Sequence, residues 1–333
     1  MRVLFLGNSL HLNKTKSADF FIRILRDFFD DVTVIPAKEA WTYAPKKRWD
    51  LLVSFQKRYS PEELEAFRAG NVVLIPMYDD CPHDRPFWSK YTKFKVVCFS
   101  SSLERLLSSY GIETLSLRYY PEVPDQSASF QANGGLRGFF WQRVRAIGCS
   151  TVRVLIGQTP FSQMRLHWTP DVHDDIGAPV FDPDSFDGQI AVSQWTGERK
   201  DYLDLLSESN VFFAPRTLEG IGMSFIEAMA MGLCVVAPNA PTMNEYIENG
   251  VTGLLYDAQR PAPLDYSRAK EIGRAARESC IRGRDRWLQA LPALKAFLQE
   301  PAAGYKPRRH MAIALRGRGI SAARRVYRFL KKR

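Results

Sequence analysis

Through the first 120 residues short apolar runs keep returning: RVLFLG, VTVIP, DLLVSF, NVVLIP and KVVCFS. Each is continuous in apolar character rather than alternating, the pattern of a strand buried on both faces. Between them lie stretches of helical periodicity at 17–29, from Ser60 onward, and at 101–110. The start at Ser60-Pro61-Glu62-Glu63 supplies an N-cap, a proline at the first helical position and acids in the first turn. Short buried strands separated by helices predict βαβ units and a parallel sheet covered on both faces. The expected fold class is α/β, doubly wound.

The pattern lapses over YYPEVPDQSASFQANGG, where Pro, Ser, Gln and Gly gather as in linkers. It then resumes with GFFWQR, a helix near 150–155, a strand near 164–168, GQIAVS, a helix over 198–207, NVFFAP, a helix around 225–231, LCVVAP and VTGLLYD. A chain of 333 residues is long for one core and natural for two. The expected organisation is a Rossmann-like domain over 1–120, a linker over 121–135, and a second Rossmann-like domain over 136–284. A helix from 267 to 284 is expected to break before a C-terminal helix within 285–304. A basic amphipathic tail over 305–333 ends the chain, with Ile320, Ala323, Val326, Tyr327 and Leu330 at helical spacing.

Charge is distributed unevenly. The formal net charge is +10, and 305–333 holds eleven Lys or Arg and no acid, which leaves about −1 for the remainder. No run of apolar residues is long enough to span a bilayer, and MRVLFLG is too short for a secretory leader. Five scattered cysteines without a C-x-x-C pair predict reduced thiols and no zinc site, hence a cytoplasmic protein.

The stretch EGIGMSFIEAMAMG, 219–232, carries the most chemistry. Glu219 precedes Gly220 and Gly222 in a segment too glycine-rich for helix interior, whereas Glu227 lies among strong helix formers. The segment joins the end of NVFFAP to a helix, so it lies at a sheet's carboxyl edge, where open α/β sheets bind ligands. The backbone amides of Gly222, Met223 and Ser224, at the positive end of the helix, suit a phosphate. Two carboxylates beside a phosphate repel it unless they face hydroxyls, and sugars supply hydroxyls. The order nucleotide, diphosphate, sugar satisfies both demands.

Residues 211–257, VFFAPRTLEGIGMSFIEAMAMGLCVVAPNAPTMNEYIENGVTGLLYD, resemble the donor-site signature of retaining GT-B glycosyltransferases of the glycosyl transferases group 1, or family 4, type. The shared features are the strand ending in proline, the E-x7-E pair Glu219 and Glu227, EAMAMG, VVAP, the acid Glu245 and the ENGVTGLL turn. The resemblance implies a GT-B fold, two Rossmann-like domains with a cleft between them and C-terminal helices. It implies a hexosyl- or related glycosyltransferase acting with retention by front-face substitution and without a metal. A nucleotide diphosphate sugar is then substrate, and no cofactor is expected.

Residue by residue, it implies that Glu227 binds the ribose and that Glu219 contacts hydroxyls of the transferred sugar. Gly220, Ile221, Gly222, Met223 and Ser224 serve the donor. Arg143, after GFFWQ, takes the phosphate-binding arginine's place. The lysine usual a few residues beyond it is replaced by Arg145 or, farther on, Arg153, and Trp195 and Thr196 border the base. Acceptor-side positions follow the first strand, at Asn8 and Ser9. Asp79 and His83, in MYDDCPHDR, are the alternatives for a side chain facing the acceptor or the sugar.

Other readings of the same residues stay open. Glu219 and Glu227 also fit a solvated loop acid and a helix-dipole acid, and Arg143 fits a pair with a surface acid. DVHDD at 171–175 and DPD at 182–184 tempt a metal assignment but read better as turns and caps in a Pro-rich loop. The tail is read as an anionic-membrane contact on the cytoplasmic face, with packing on the protein as its alternative. Nucleic acid is not an expected partner. Expected partners are a nucleotide-sugar donor and a glycan or lipid-linked acceptor, in cell-surface glycan, lipopolysaccharide or capsule synthesis. A non-catalytic GT-B subunit and a nucleotide-sugar epimerase or hydrolase remain as alternatives.

Overall fold

A computed structural model describes residues 1–43, 47–125, 127–128, 130, 135–171, 186 and 188–305. The tail from 306, the segment 182–184 and the remainder of DVHDD after Asp171 lie outside the described residues. The described residues form two compact units, Met1–Leu117 together with those from Ala290 to Tyr305, and Arg118–Gln289.

The first unit holds a six-stranded, all-parallel sheet in the order β2-β1-β3-β4-β5-β6. Its strands are β1 (Arg2–Gly7), β2 (Asp31–Pro36), β3 (Trp49–Phe55), β4 (Ala69–Ile75), β5 (Lys95–Cys98) and β6 (Glu113–Ser116). The α-helices between them are α1 (Asp19–Phe28), α2 (Ala40–Tyr43), α3 (Pro61–Ala66), α4 (Arg85–Trp88) and α5 (Ser101–Ser109). Alternate residues of each strand feed opposite faces. Leu4, Leu6, Leu52, Leu74 and Val96 pack in one cluster, while Phe5, Phe20, Phe21, Phe55 and Phe99 interlock in another. The expected start of α3 is a full capping box: Ser60 Oγ accepts from the Glu63 amide and Glu63 accepts from the Ser60 amide.

The second unit repeats the architecture in the order β12-β11-β10-β7-β8-β9, again all parallel. Its strands are β7 (Leu136–Gln142), β8 (Phe161–Trp168), β9 (Gln189–Ser193), β10 (Val211–Phe213), β11 (Cys234–Pro238) and β12 (Leu254–Tyr256). Its helices are α6 (Cys149–Ile156), α7 (Arg199–Ser207), α8 (Met223–Ala230), α9 (Met243–Tyr246) and the start of α10 (Ala269–Gln299). Phe140, Met164, Leu166, Phe213 and Val236 build one face. Phe139, Trp141, His167, Tyr202 and Phe212 build the other.

The expected break between 284 and 285 is not there: α10 runs without interruption from Ala269 to Gln299, with Pro292 inside it. The cause lies in packing. A Cβ at Gly283 would come within 2.4 Å of the Tyr120 ring, so this glycine admits a neighbour instead of ending the helix. Arg284 Nη1 then donates to the Tyr120 carbonyl at 3.0 Å. The edge strand β6, half-buried and short, carried too little apolar pattern to be read from sequence. Among the described residues no helix is long and apolar enough to cross a membrane.

The end of α10 is tied to the first sheet by polar groups. Asn71 Nδ2 donates to the carbonyls of Leu298 and Glu300, both at 2.9 Å. Buried Lys95 donates to the Glu300 carbonyl at 3.0 Å, pairs with Glu113 at 3.0 Å and lies 4.0 Å from the Phe297 ring centre. A cation and an amide thus answer the orphan carbonyls of a helix C-terminus. Asn71→Leu is expected to lower the unfolding free energy of the first unit by about 1–3 kcal/mol, since buried carbonyls lose their donor. Chemical denaturation followed by circular dichroism measures it, and an unchanged midpoint contradicts the role.

Candidate functional site

In a parallel sheet every strand ends on the same edge, and ligands collect where the strand order reverses. For the second sheet that point lies between β7 and β10, the central pair from which the order runs outward both ways. Arg143 follows β7 directly, and Arg216 lies three residues beyond β10. Asp171, after β8, bridges them. Its Oδ1 accepts from Arg143 Nε at 3.0 Å and Nη2 at 2.6 Å, and its Oδ2 accepts from Arg216 Nη2. The Asp171 amide also donates to the Arg143 carbonyl at 3.0 Å, and the Arg143 guanidinium lies 5.0 Å from the Trp141 ring centre. Two guanidinium groups are therefore held together at the switch point around one carboxylate.

The loop after β10 carries Glu219, half-buried, and then Gly220, Ile221 and Gly222, all buried. Thr242 Oγ1 donates to the Glu219 carbonyl at 2.6 Å and so pins the loop. Gly222 caps α8 with φ of 76°, a left-handed backbone, and a Cβ there would lie 1.9 Å from the Phe225 ring. Glycine is required twice over. No side chain caps α8 and its first turn has no acid, so the positive end of the helix is left for an anion.

Glu227 is buried within a helix whose other residues, Phe225 to Ala230, are buried and apolar. Arg199, opening α7, meets its Oε1 with Nη2 at 2.8 Å. Burial pushes the Glu227 carboxyl above its usual range and the Arg199 charge pulls it back. Beside it, the buried Tyr202 hydroxyl has no hydrogen-bond partner among the described residues. Burial, then the Glu227 charge, push its ionisation well up, while Arg199 and Arg143 oppose this. Those charges thus act on one small region behind the carboxyl edge.

His167 belongs to the same region, with Nδ1 3.0 Å from Ser193 Oγ. Burial, reinforced by Arg143 and Arg165, pushes its pKa from 6.5 down to about 4. Trp195 and Thr196 follow β9 on this edge, the indole 42% exposed and the threonine half-buried. Arg145 is exposed.

The first sheet reverses between β1 and β3. Asn8 and Ser9 follow β1 and open a single-turn helix: Asn8 Oδ1 accepts from the Leu10 amide at 3.1 Å, and Ser9 stands at its N-cap. Asp79 and His83 lie exposed after β4. His83 Nε2 is tied to the Tyr78 carbonyl at 2.8 Å, and its ring lies 4.4 Å from that of Tyr78. The imidazole is thereby held by its own loop.

Residues 184–266 match the family model described as glycosyl transferases group 1. The matched segment is about a quarter of the chain. Alpha-maltose-1-phosphate synthase of Mycolicibacterium smegmatis is 36% identical to this chain over 93 residues. That match spans 23% of this chain and only 24% of the relative. Among solved structures, HepE from Anabaena in complex with UDP and glucose superposes with a TM-score of 0.62 at 13% identity, covering 89% of this chain and 100% of HepE. Sucrose-phosphate synthase from Thermosynechococcus elongatus gives 0.63 at 14%, covering 89% and 99%. The lipopolysaccharide outer core galactosyltransferase WaaB gives 0.61 at 10%, covering 89% and 99%. At such identities the likeness is one of fold, and that fold is GT-B.

Sequence reasoning singled out Arg143, Glu219, Gly222 and Glu227 but passed over Arg216, Asp171 as an ion partner, Arg199 and Tyr202. A signal existed for Arg199: Arg199, Tyr202 and Leu206 recur at i, i+3 and i+7, and the latter two are buried.

Gly222→Ala is expected to cost about 2–4 kcal/mol, from the left-handed backbone and the displaced Phe225 ring, measured by thermal unfolding. Retention of full stability contradicts the assignment. His167 binds a proton less readily folded than unfolded, so its contribution is intact above pH 6.5 and is lost as pH falls towards 4. The full shift is worth about 3 kcal/mol, and His167→Gln is expected to flatten that part of the stability profile between pH 4 and 7.

Proposed function

We propose that this chain moves a sugar from a nucleotide diphosphate sugar to an acceptor hydroxyl. The observation that carries the reading is the pair Arg143 and Arg216, gathered on Asp171 at the switch point of the second sheet. A phosphate oxygen is the natural replacement for that carboxylate between two guanidinium groups. On the same edge the uncapped start of α8 offers the amides of Met223 and Ser224 to an anion. Glu227 then holds the ribose, Glu219 contacts hydroxyls of the transferred sugar, and Trp195 and Thr196 border the base.

In this reading the arginines gain importance as the glycosidic bond breaks, because negative charge grows on the leaving diphosphate. Transfer proceeds with retention and without a metal, and the departing phosphate takes the acceptor proton. The acceptor binds through the first unit, near Asn8, Ser9, Asp79 and His83. Its class is a glycan or a lipid-linked glycan precursor, as in lipopolysaccharide or capsule synthesis. The eleven cations of 305–333 support contact with an anionic cytoplasmic membrane surface. The UDP held by HepE, a protein of like fold, makes UDP the first base to test.

A thermal-shift titration against UDP, GDP, CMP, TDP and NAD tests the reading. Stabilisation by one diphosphate nucleotide is expected, and Glu227→Ala is expected to weaken its binding by about 1.5–3 kcal/mol. Absence of stabilisation by all five overturns the assignment in favour of a non-catalytic subunit.

A further inference from the structure

Glu227 presents a physical difficulty that the proposed donor site leaves unexplained. Its carboxyl group is buried in an apolar helix, and such a group favours the neutral form, which accepts hydrogen bonds poorly. Hydrogen bonds from a vicinal diol need the carboxylate. One described side chain opposes the effect of burial: Arg199, at the first position of α7, reaches across to Oε1 at 2.8 Å. Its own side chain is 53% exposed against 10% for Glu227, so the cation keeps its contact with water while its charge serves the buried acid.

We propose that Arg199 is a positioning residue for this site: its guanidinium fixes the Glu227 carboxylate by one oxygen and leaves the other to the ligand. The inference rests on the reading of Glu227 as the ribose-binding acid, and it adds a residue from a different helix on which that acid depends. Arg199 itself does not touch the nucleotide. The groups around Glu227 that carry charge or titrate are few among the described contacts. Arg199 and Tyr202 come from α7, and Arg143 acts on Tyr202 from the end of β7. From α10 the Cys280 thiol donates to the carbonyl of the adjacent Ile226 at 3.8 Å, and burial pushes that thiol up to about 12, so it stays neutral. None of the others replaces Arg199, since Tyr202 is neutral and Arg143 is held by Asp171.

The arrangement has two consequences for pH. Without Arg199 the Glu227 carboxyl ionises only at higher pH, because burial then acts unopposed. A carboxyl that binds its proton more tightly folded than unfolded stabilises the fold at low pH and loses that contribution as pH rises through its folded pKa. Nucleotide binding has the opposite slope, since the ligand needs the ionised form.

Two measurements on the full chain test this, with Arg199→Ala, Arg199→Lys, Glu227→Gln and the Arg199→Ala/Glu227→Gln double variant. In the first, no nucleotide is present and thermal unfolding is followed from pH 5 to 8. Arg199→Ala is expected to lose midpoint temperature relative to wild type as pH rises, Arg199→Lys to follow wild type, and the double variant to show no such loss. A profile of Arg199→Ala parallel to wild type, or the same loss in the double variant, overturns the inference whatever the protein binds.

In the second, UDP affinity is measured by calorimetry over the same range. Arg199→Ala is expected to bind within about threefold of wild type at pH 8 and at least tenfold more weakly at its acid end, with Arg199→Lys restoring the flat profile. A uniform loss at every pH overturns the inference by making Arg199 a direct ligand contact. UDP affinity of the wild type left untouched by Glu227→Gln overturns the ribose reading alone, because the nucleotide-free measurement still decides the ion pair.

Discussion

Parallel pairing brings the candidate site into being. Six strands running the same way deliver six carboxyl ends to one edge, and the reversal of order between β7 and β10 opens a gap in the cover there. Arg143, Asp171, Trp195 and Arg216 are far apart in sequence, yet each stands within three residues of the carboxyl end of a strand in that sheet. An antiparallel arrangement of the same strands would send half of them to the opposite edge. The apolar strand interiors thus locate the polar residues without contacting a ligand themselves.

Charge placed in a low-dielectric setting gives the edge its character. Glu227 sits in a helix whose residues from Phe225 to Ala230 are otherwise apolar and buried, and Arg199, Tyr202, Arg143 and His167 share its neighbourhood. In such surroundings a single ion pair weighs on the protonation state, whereas the same pair in water would do little. The Arg143, Asp171 and Arg216 cluster follows the same logic from the other side. Two cations brought together need an anion, and the Asp171 carboxylate supplies it.

The first unit solves a different problem with similar means. The last turns of α10 end on the amino side of β4 and β5, and Asn71 and Lys95 supply donors to carbonyls that would otherwise be orphaned. Tyr305 adds a bond from its hydroxyl to the Ala69 carbonyl at 3.0 Å. Three polar side chains at this apolar base each give their donor a defined acceptor.

Much of the fold was legible in the apolar runs, because a strand buried on both faces must be apolar throughout and a helix between two such strands must be periodic. Glu219, Gly222 and Glu227 were legible for a local reason: a loop acid, a left-handed cap and a helical acid fall within nine consecutive positions. Arg216 and Arg199 were not, since an arginine beside a strand end and one opening a helix look like solvated surface until their partners are known. The break expected between 284 and 285 is absent because the continuous helix there packs closely on Tyr120, a contact between residues far apart in sequence. The sequence by itself determined the order of strands and helices and the local form of the Gly222 turn, which depend on contacts between near neighbours. Tertiary structure alone decided that Asp171 joins Arg143 to Arg216 and that Arg199 meets Glu227. Those distances of 2.6 and 2.8 Å depend on how separate strands and helices pack, which no local pattern encodes.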